Sequence, residues 1–227
     1  MSCFCCPPNI VRTIAKSRGW AYSISDKGVW VNLYGSNVLD TKLADGTQIK
    51  LSQETDYPWD GKIAITIDVP DKREFSLMLR IPEWTKDATL RINGRPVESN
   101  LLAGRYFELN RMWSAGDRVE LDLPMRIRMI EANPLVEETR SQVAIKRGPI
   151  VYCLESPDLP NGVRVSEVII PTDITLKAEY EENLLGGVAV LNGQAWAVQE
   201  KGWEGELYRE RKNHARRDVN IRLIPYY

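Results

Sequence analysis

From Val29 onward the chain is cut into short runs of β-forming residues by Gly, Pro and Asn, and this restricts it to architectures built from short strands. Ile63-Ala64-Ile65-Thr66-Ile67-Asp68-Val69 shows the period most clearly, with its larger apolar residues at alternate positions, as a half-buried strand requires. Val29 to Tyr34, Thr47 to Gln53, Phe75 to Ile81, Ala88 to Ile92, Arg105 to Leu109 and Arg118 to Leu123 read the same way. The punctuation between them has suitable chemistry. Asn93-Gly94 suits a two-residue hairpin turn with positive φ at both positions, and Asp45-Gly46 and Ala115-Gly116-Asp117 can reverse the chain elsewhere.

A second set of strands is expected at Val163 to Pro171, Ile174 to Tyr180, Val188 to Leu191, Ala195 to Val198, Glu206 to Tyr208 and Val219 to Ile224, with Leu191-Asn192-Gly193-Gln194 as another hairpin turn. The proline-containing, charged stretch Asn133 to Arg140 reads as the connection between the two sets. The fold class expected is therefore mainly β. Two antiparallel, jelly-roll-like β-sandwich domains, 29–129 and 130–227, follow a short N-terminal segment, 1–28. No solenoid or propeller period is visible.

A chain of 227 residues, 43% hydrophobic, can bury cores of this kind. Its formal charge of −1 offers no global field for nucleic acid or an anionic membrane, and neither is expected as a partner. It has no apolar run of about 18 residues and no charged-then-apolar leader. A leader would be lost with any missing N-terminal part, so a cytoplasmic and a periplasmic location both stay open, as does oligomeric state. Four cysteines, three of them between positions 3 and 6, do not form a disulfide scaffold. The distant one, Cys153, lies in the apolar run Ile150 to Leu154 and reads as a small core residue.

The N-terminal cysteines have a different setting. Pro7 or Pro8 is suited to begin a helix, which Ile10, Val11, Ile14 and Ala15 continue to about Ser17, with Gly19 as its C-terminal cap. Cys5 and Cys6 then sit at the positive end of the helix dipole, where thiolate is favoured over thiol, and a thiolate is both a zinc ligand and a nucleophile. On spacing alone, a pair of structural cysteines fits equally well.

The flanking residues separate these readings. Cys5-Cys6-Pro7-Pro8-Asn9-Ile10-Val11-Arg12 closely resembles the motif of glycoside hydrolase family 127, the retaining β-L-arabinofuranosidases. Gly19 to Ser23, Val31 to Ser36, Leu79 to Trp84, Ile92-Asn93-Gly94, Trp113 to Asp117 and Arg147 to Tyr152 are similar to the family in order and approximate spacing. The resemblance implies that the helix is the end of an (α/α)6 catalytic barrel followed by two accessory sandwiches. It also implies that Ile224-Pro225-Tyr226-Tyr227 is a strand that normally continues. Carried over residue by residue, it gives Cys5 as nucleophile and zinc ligand and Cys6 as zinc ligand. The other family ligands, a glutamate and a further cysteine, and the acid/base glutamate lie upstream in the barrel.

The function expected is that of the C-terminal portion of a retaining hydrolase of β-L-arabinofuranosides, with an arabinose-containing glycan and the barrel as partners, and inactive alone. The rivals are a free-standing carbohydrate-binding or structural β-sandwich, and a small zinc or redox protein, which needs ligands beyond the first six residues; Cys3 substitutes for a missing ligand only if Cys3 to Cys6 folds tightly around the ion. Other residues carry less. His214, within Arg209 to Arg217, reads as part of a solvated loop in preference to an anion site. Trp59, Trp84, Trp113, Trp196 and Trp203 read as packing residues in preference to a sugar-stacking face. Glu83, Asp117 and Glu155 sit in turn or strand contexts and supply no catalytic pair.

Overall fold

The computed structural model describes residues 5–198, 205, 207–210 and 215–226, and they divide into two compact units between Arg126 and Ile127. The first unit opens with helix α1 (Cys6–Ser17), which tightens into a single 3-10 turn, Arg18–Trp20. Gly19 therefore lies inside a continuing turn, and Arg18 caps α1 in a right-handed conformation. The expected glycine cap is absent because the chain does not reverse there. Among the described residues, no helix is long and apolar enough to cross a membrane.

Strands β1 (Tyr22–Ser25), β2 (Gly28–Val31), β3 (Asn37–Lys42), β4 (Gln48–Thr55) and β5 (Lys62–Asp68) follow, then β6 (Arg73–Ile81), β7 (Thr89–Ile92), β8 (Arg95–Pro96), β9 (Arg105–Trp113) and β10 (Asp117–Asp122). They form a four-stranded sheet, β1-β2-β6-β9, and a six-stranded sheet, β3-β4-β5-β10-β7-β8. Side chains at alternate positions of both sheets meet in one core, among them Val29, Val31, Leu77 and Leu79 from the first and Leu51, Ile65, Ile67 and Val119 from the second. This is the alternation read from Ile63 to Val69. Trp113 is fully buried there and its indole N–H donates to the Phe75 carbonyl at 2.9 Å.

Within this otherwise antiparallel sandwich, β2 and β6 run parallel. Gly28 permits the approach, for a Cβ at this residue, whose φ is +144°, would lie 2.0 Å from the Ser76 carbonyl oxygen. The Asn93-Gly94 hairpin is as expected, with φ of 51° and 75° and Ile92 paired with Arg95 across it.

The second unit carries one seven-stranded sheet. Its strands are β11 (Ile127–Glu131), β12 (Val143–Arg147), β13 (Ile150–Leu154), β14 (Val168–Ile169), β15 (Lys177–Glu181), β16 (Val188–Val198) and β17 (Arg216–Pro225). They run in the order β11-β12-β13-β17-β16-β14, with β15 also paired to β16. The expected connection at Asn133 to Arg140 lies instead within the hairpin joining β11 to β12. The core comprises inward residues such as Ile145, Leu191, Ala195, Val219 and Leu223, covered by Leu159, Val163, Ile174 and Leu176 from the segment between β13 and β15.

Asn192-Gly193 is not a turn. Strand β16 runs through it, paired along one edge with β17 from Leu191 to Val198 and along the other with β15 from Val188 to Asn192. Pairing on both edges overrides local turn chemistry, and the glycine serves packing, since a Cβ on Gly193 would lie 2.6 Å from Leu176 Cδ2. The strand expected at Val163 to Pro171 is interrupted by a 3-10 turn, Val165–Glu167, and only Val168–Ile169 of it pairs as strand β14. Leu207 and Tyr208 are exposed and lie in no strand, and Glu206 is outside the described residues.

Candidate active site

The cysteine pair sits where α1 begins. Cys5 is the N-terminal cap, already with right-handed helical dihedrals, and its carbonyl accepts from the Asn9 N–H at 3.3 Å. Cys6, Pro7 and Pro8 make up the first turn. Two prolines here satisfy the helix without orphan donors, but they also strip two N–H groups from the end that would otherwise solvate an anion. Backbone donation to a thiolate at this terminus is accordingly meagre, and a charged partner is the stronger means of holding the sulfurs ionised.

The two Sγ atoms are 3.7 Å apart and both residues are exposed. That is much longer than a disulfide, in which the sulfurs lie about 2.05 Å apart. It matches one edge of a tetrahedral thiolate site, since Zn–S bonds of about 2.3 Å place neighbouring sulfurs about 3.8 Å apart. The pair thus fits half of a zinc coordination shell. Among the described residues no cluster of three or more His, Cys, Asp or Glu side chains completes it. Cys3 and His214 lie outside the described residues, as does Trp203.

The helix that carries the pair is amphipathic and uncovered. Ile10, Val11 and Ile14, which share one face by their three- and four-residue spacing, are 60%, 66% and 67% exposed, and no residue of α1 is buried. At its other end the chain is tied down firmly. Asn32, just after β2, donates from Nδ2 to the Trp20 carbonyl at 3.1 Å and to Ser23 Oγ at 2.9 Å, and its backbone N–H donates to the Ala21 carbonyl at 2.8 Å. Its Oδ1 accepts from the Tyr106 hydroxyl at 2.7 Å and its carbonyl from Arg80 Nη1 at 3.4 Å. The neighbouring Tyr34 hydroxyl donates to the Arg80 carbonyl at 2.7 Å, and burial pushes its pKa far above the ordinary tyrosine value. Composition and spacing do not single out this network. Its one trace in the sequence is a carboxamide directly after an apolar strand.

The other candidates are structural. Trp113 is core, Trp84 packs against the same core, and Trp196 lies beneath the Arg216 guanidinium, 4.7 Å from its ring centroid. Trp59 is half-buried in the turn after β4, its N–H donating to the Asp56 carbonyl at 2.8 Å. Asp117 staples a turn, accepting from the Ser114 N–H at 2.9 Å and from Asn93 Nδ2 at 2.8 Å. Burial pushes its pKa up, but these bonds and the charges of Arg111 and Lys72 outweigh burial and hold it below the ordinary carboxylate value. Glu83 is exposed in the turn after β6, and Glu155 is exposed before a 3-10 turn in the second unit. Cys153 is half-buried rather than core, with its thiol 3.6 Å from the Ile224 carbonyl and its pKa raised, by burial first and then by Glu155 and Asp158.

A helix opening on adjacent thiols, followed by a two-sheet sandwich and a second all-β unit, places the chain in the class of mainly β proteins with two domains. The family models bear this out: residues 28–125 match the middle domain of the family 127 β-L-arabinofuranosidases, and residues 127–227 match the family's C-terminal domain. The chain belongs to glycoside hydrolase family 127. It is 32% identical, over 99% of its length, to a non-reducing end β-L-arabinofuranosidase of Bifidobacterium longum subsp. longum, covering 35% of that protein. Among solved structures it resembles a glycoside hydrolase at 45% identity with a TM-score of 0.91, covering 99% of this chain and 37% of that one. A GH127 β-L-arabinofuranosidase from Geobacillus stearothermophilus T6 matches at 40% identity with a TM-score of 0.90, over 99% of this chain and 35% of that one. The chain thus spans little more than a third of the length of these relatives.

Proposed function

We propose that this chain supplies the nucleophile and two zinc ligands to a retaining glycoside hydrolase acting on β-L-arabinofuranosides. The observation that carries the reading is the Cys5–Cys6 pair at the start of α1, with sulfurs 3.7 Å apart. Family membership and the names of the relatives support the substrate class.

In the reaction, Cys5 Sγ as thiolate attacks the anomeric carbon while the bond to the leaving oxygen breaks, and that oxygen takes a proton from a carboxylic acid. Water then attacks the same carbon, giving its proton to the carboxylate, and the C–S bond breaks to restore the thiolate. Net inversion occurs twice, so configuration is retained. Cys5 and Cys6 would hold a zinc ion, whose charge would favour the deprotonated sulfurs and make sulfur a better leaving group. Cys6, with its sulfur 3.7 Å from that of Cys5, would help hold the direction of its neighbour as a second ligand. The acid/base glutamate and the remaining ligands, a glutamate and a cysteine, are those of the family's helical barrel. The bare stripe of Ile10, Val11 and Ile14 is the face by which α1 packs into that barrel.

The reading predicts no turnover of p-nitrophenyl β-L-arabinofuranoside by the 227-residue chain alone. The two thiols alone should bind zinc only weakly, since they satisfy half a shell. Joined to the barrel, the protein should bind one zinc tightly and hydrolyse the substrate, and Cys5→Ser should lower kcat by roughly 10³-fold or more. Retained turnover in that variant, with zinc still present by metal analysis, would refute Cys5 as nucleophile.

A further inference from the structure

We infer that Asn32 is a positioning residue for the cysteine pair, fixing the direction in which α1 leaves the first sandwich. The inference rests on the reading of Cys5 and Cys6 given above. It concerns a residue at the opposite end of α1 from both of them.

A helix of 12 residues is a rigid rod about 18 Å long, so a small rotation where it is anchored becomes a displacement of several ångströms at its tip. A misplacement of about 1 Å at the reacting atoms can cost about 10²-fold in rate. Among the described residues α1 buries no side chain of its own, so within this chain the segment that follows ties it to the sandwich, and in the joined protein that tether would act together with the helix's barrel-facing stripe. That segment is held by Asn32. Three of the bonds described above run from Asn32 back to Trp20, Ala21 and Ser23, and two run forward, from Tyr106 on β9 and Arg80 on β6. The Leu33 N–H adds a further bond to the Ala21 carbonyl at 3.3 Å.

Only a carboxamide meets these demands. It presents two donors on nitrogen, used by Trp20 and Ser23, and an acceptor on oxygen, used by Tyr106. Aspartate of the same shape keeps the acceptor and loses both donors, setting a carboxylate oxygen against the Trp20 carbonyl. The Tyr106 ring is itself fixed, packed edge-on against Trp30 with centroids 4.8 Å apart. The tether therefore runs from the sheet, through one side chain, to the foot of the helix.

The test has two arms. In the first, Cys3, Cys5, Cys6 and Cys153 are replaced by serine, and nitroxides are placed at Lys16→Cys on α1 and Lys50→Cys on β4, both exposed positions. The pulsed-EPR distance distribution should be narrow with Asn32 and at least twice as wide in Asn32→Asp. Tyr106→Phe, which deletes one bond, serves if the aspartate variant does not fold, and should give an intermediate width. In the second arm, with native cysteines and the barrel joined, Asn32→Asp should lower kcat at least tenfold while KM changes less than twofold. An unchanged distribution, or a broadened one with unchanged kcat, overturns the proposal. Loss of kcat in Asn32→Asp alongside full turnover in Cys5→Ser would instead refute the nucleophile assignment and leave the tether standing.

Discussion

The Trp113 indole lies with its centroid 5.9 Å from that of Phe75 and spends its only polar atom on the Phe75 backbone carbonyl, so one side chain both fills the first core and satisfies a buried acceptor. The Arg111 guanidinium rests 5.0 Å from the indole centroid. Trp113→Ala should therefore cost about 3–5 kcal/mol, and Trp113→Phe, which keeps most of the volume but loses the indole bond to the Phe75 carbonyl, about 0.5–1.5 kcal/mol. Urea unfolding of the chain followed by circular dichroism measures both.

Gly28 and Gly193 should differ in their response to alanine. At Gly28 the new methyl meets a backbone carbonyl that the parallel β2–β6 pairing holds in place, and at positive φ, so Gly28→Ala should abolish the native first unit. At Gly193 the methyl meets first the end of the Leu176 side chain, which can turn aside, so about 1–3 kcal/mol is expected. Thermal melts of the two variants should rank them in that order.

Asp117 makes the first unit acid-sensitive. Its folded pKa lies below the unfolded one, so its contribution is complete above the unfolded value, near 3.9, and is lost as pH falls through the folded value. Asp117→Asn should flatten the dependence of stability on pH below about 4 while lowering stability at neutral pH. Denaturant midpoints measured across that range decide it.

The thiols should separate by reactivity. Cys5 and Cys6 are exposed, whereas Cys153 is half-buried with a raised pKa that lowers its thiolate fraction at any given pH. Timed alkylation with iodoacetamide at pH 8, mapped by mass spectrometry, should modify the N-terminal pair roughly tenfold or more faster than Cys153. Comparable rates would contradict the placement of Cys153.

What the sequence revealed was what local pattern determines. The alternation of β5, the Asn93-Gly94 turn and the proline start of α1 were readable because period and turn chemistry act within a few residues. Strand β3 was not. Asn37 to Lys42 alternates only between half-buried and exposed, with no strong apolar face to announce it. The seam between the units was expected after residue 129, but β11 begins at Ile127 because it pairs with β12, a partner beyond any local window. The same non-local pairing carried β16 through Asn192-Gly193. The cysteine pair was legible by its motif, while Asn32 was legible only from its partners, which come from β6, β9 and the foot of α1.

The three Asn-Gly dipeptides have different fates as the protein ages. Deamidation proceeds when the glycine nitrogen attacks the asparagine side-chain carbonyl to close a five-membered ring, and it needs both a small following residue and a backbone that can bend to the attack. Asn93 and Asn161 meet those needs in exposed turns, while Asn192 is held extended between neighbouring strands. Chemical wear in storage should accordingly begin at Asn93 and Asn161 and spare Asn192; at Asn93 isoaspartate lengthens the β7–β8 turn by one backbone atom and introduces a negative charge close to Asp117.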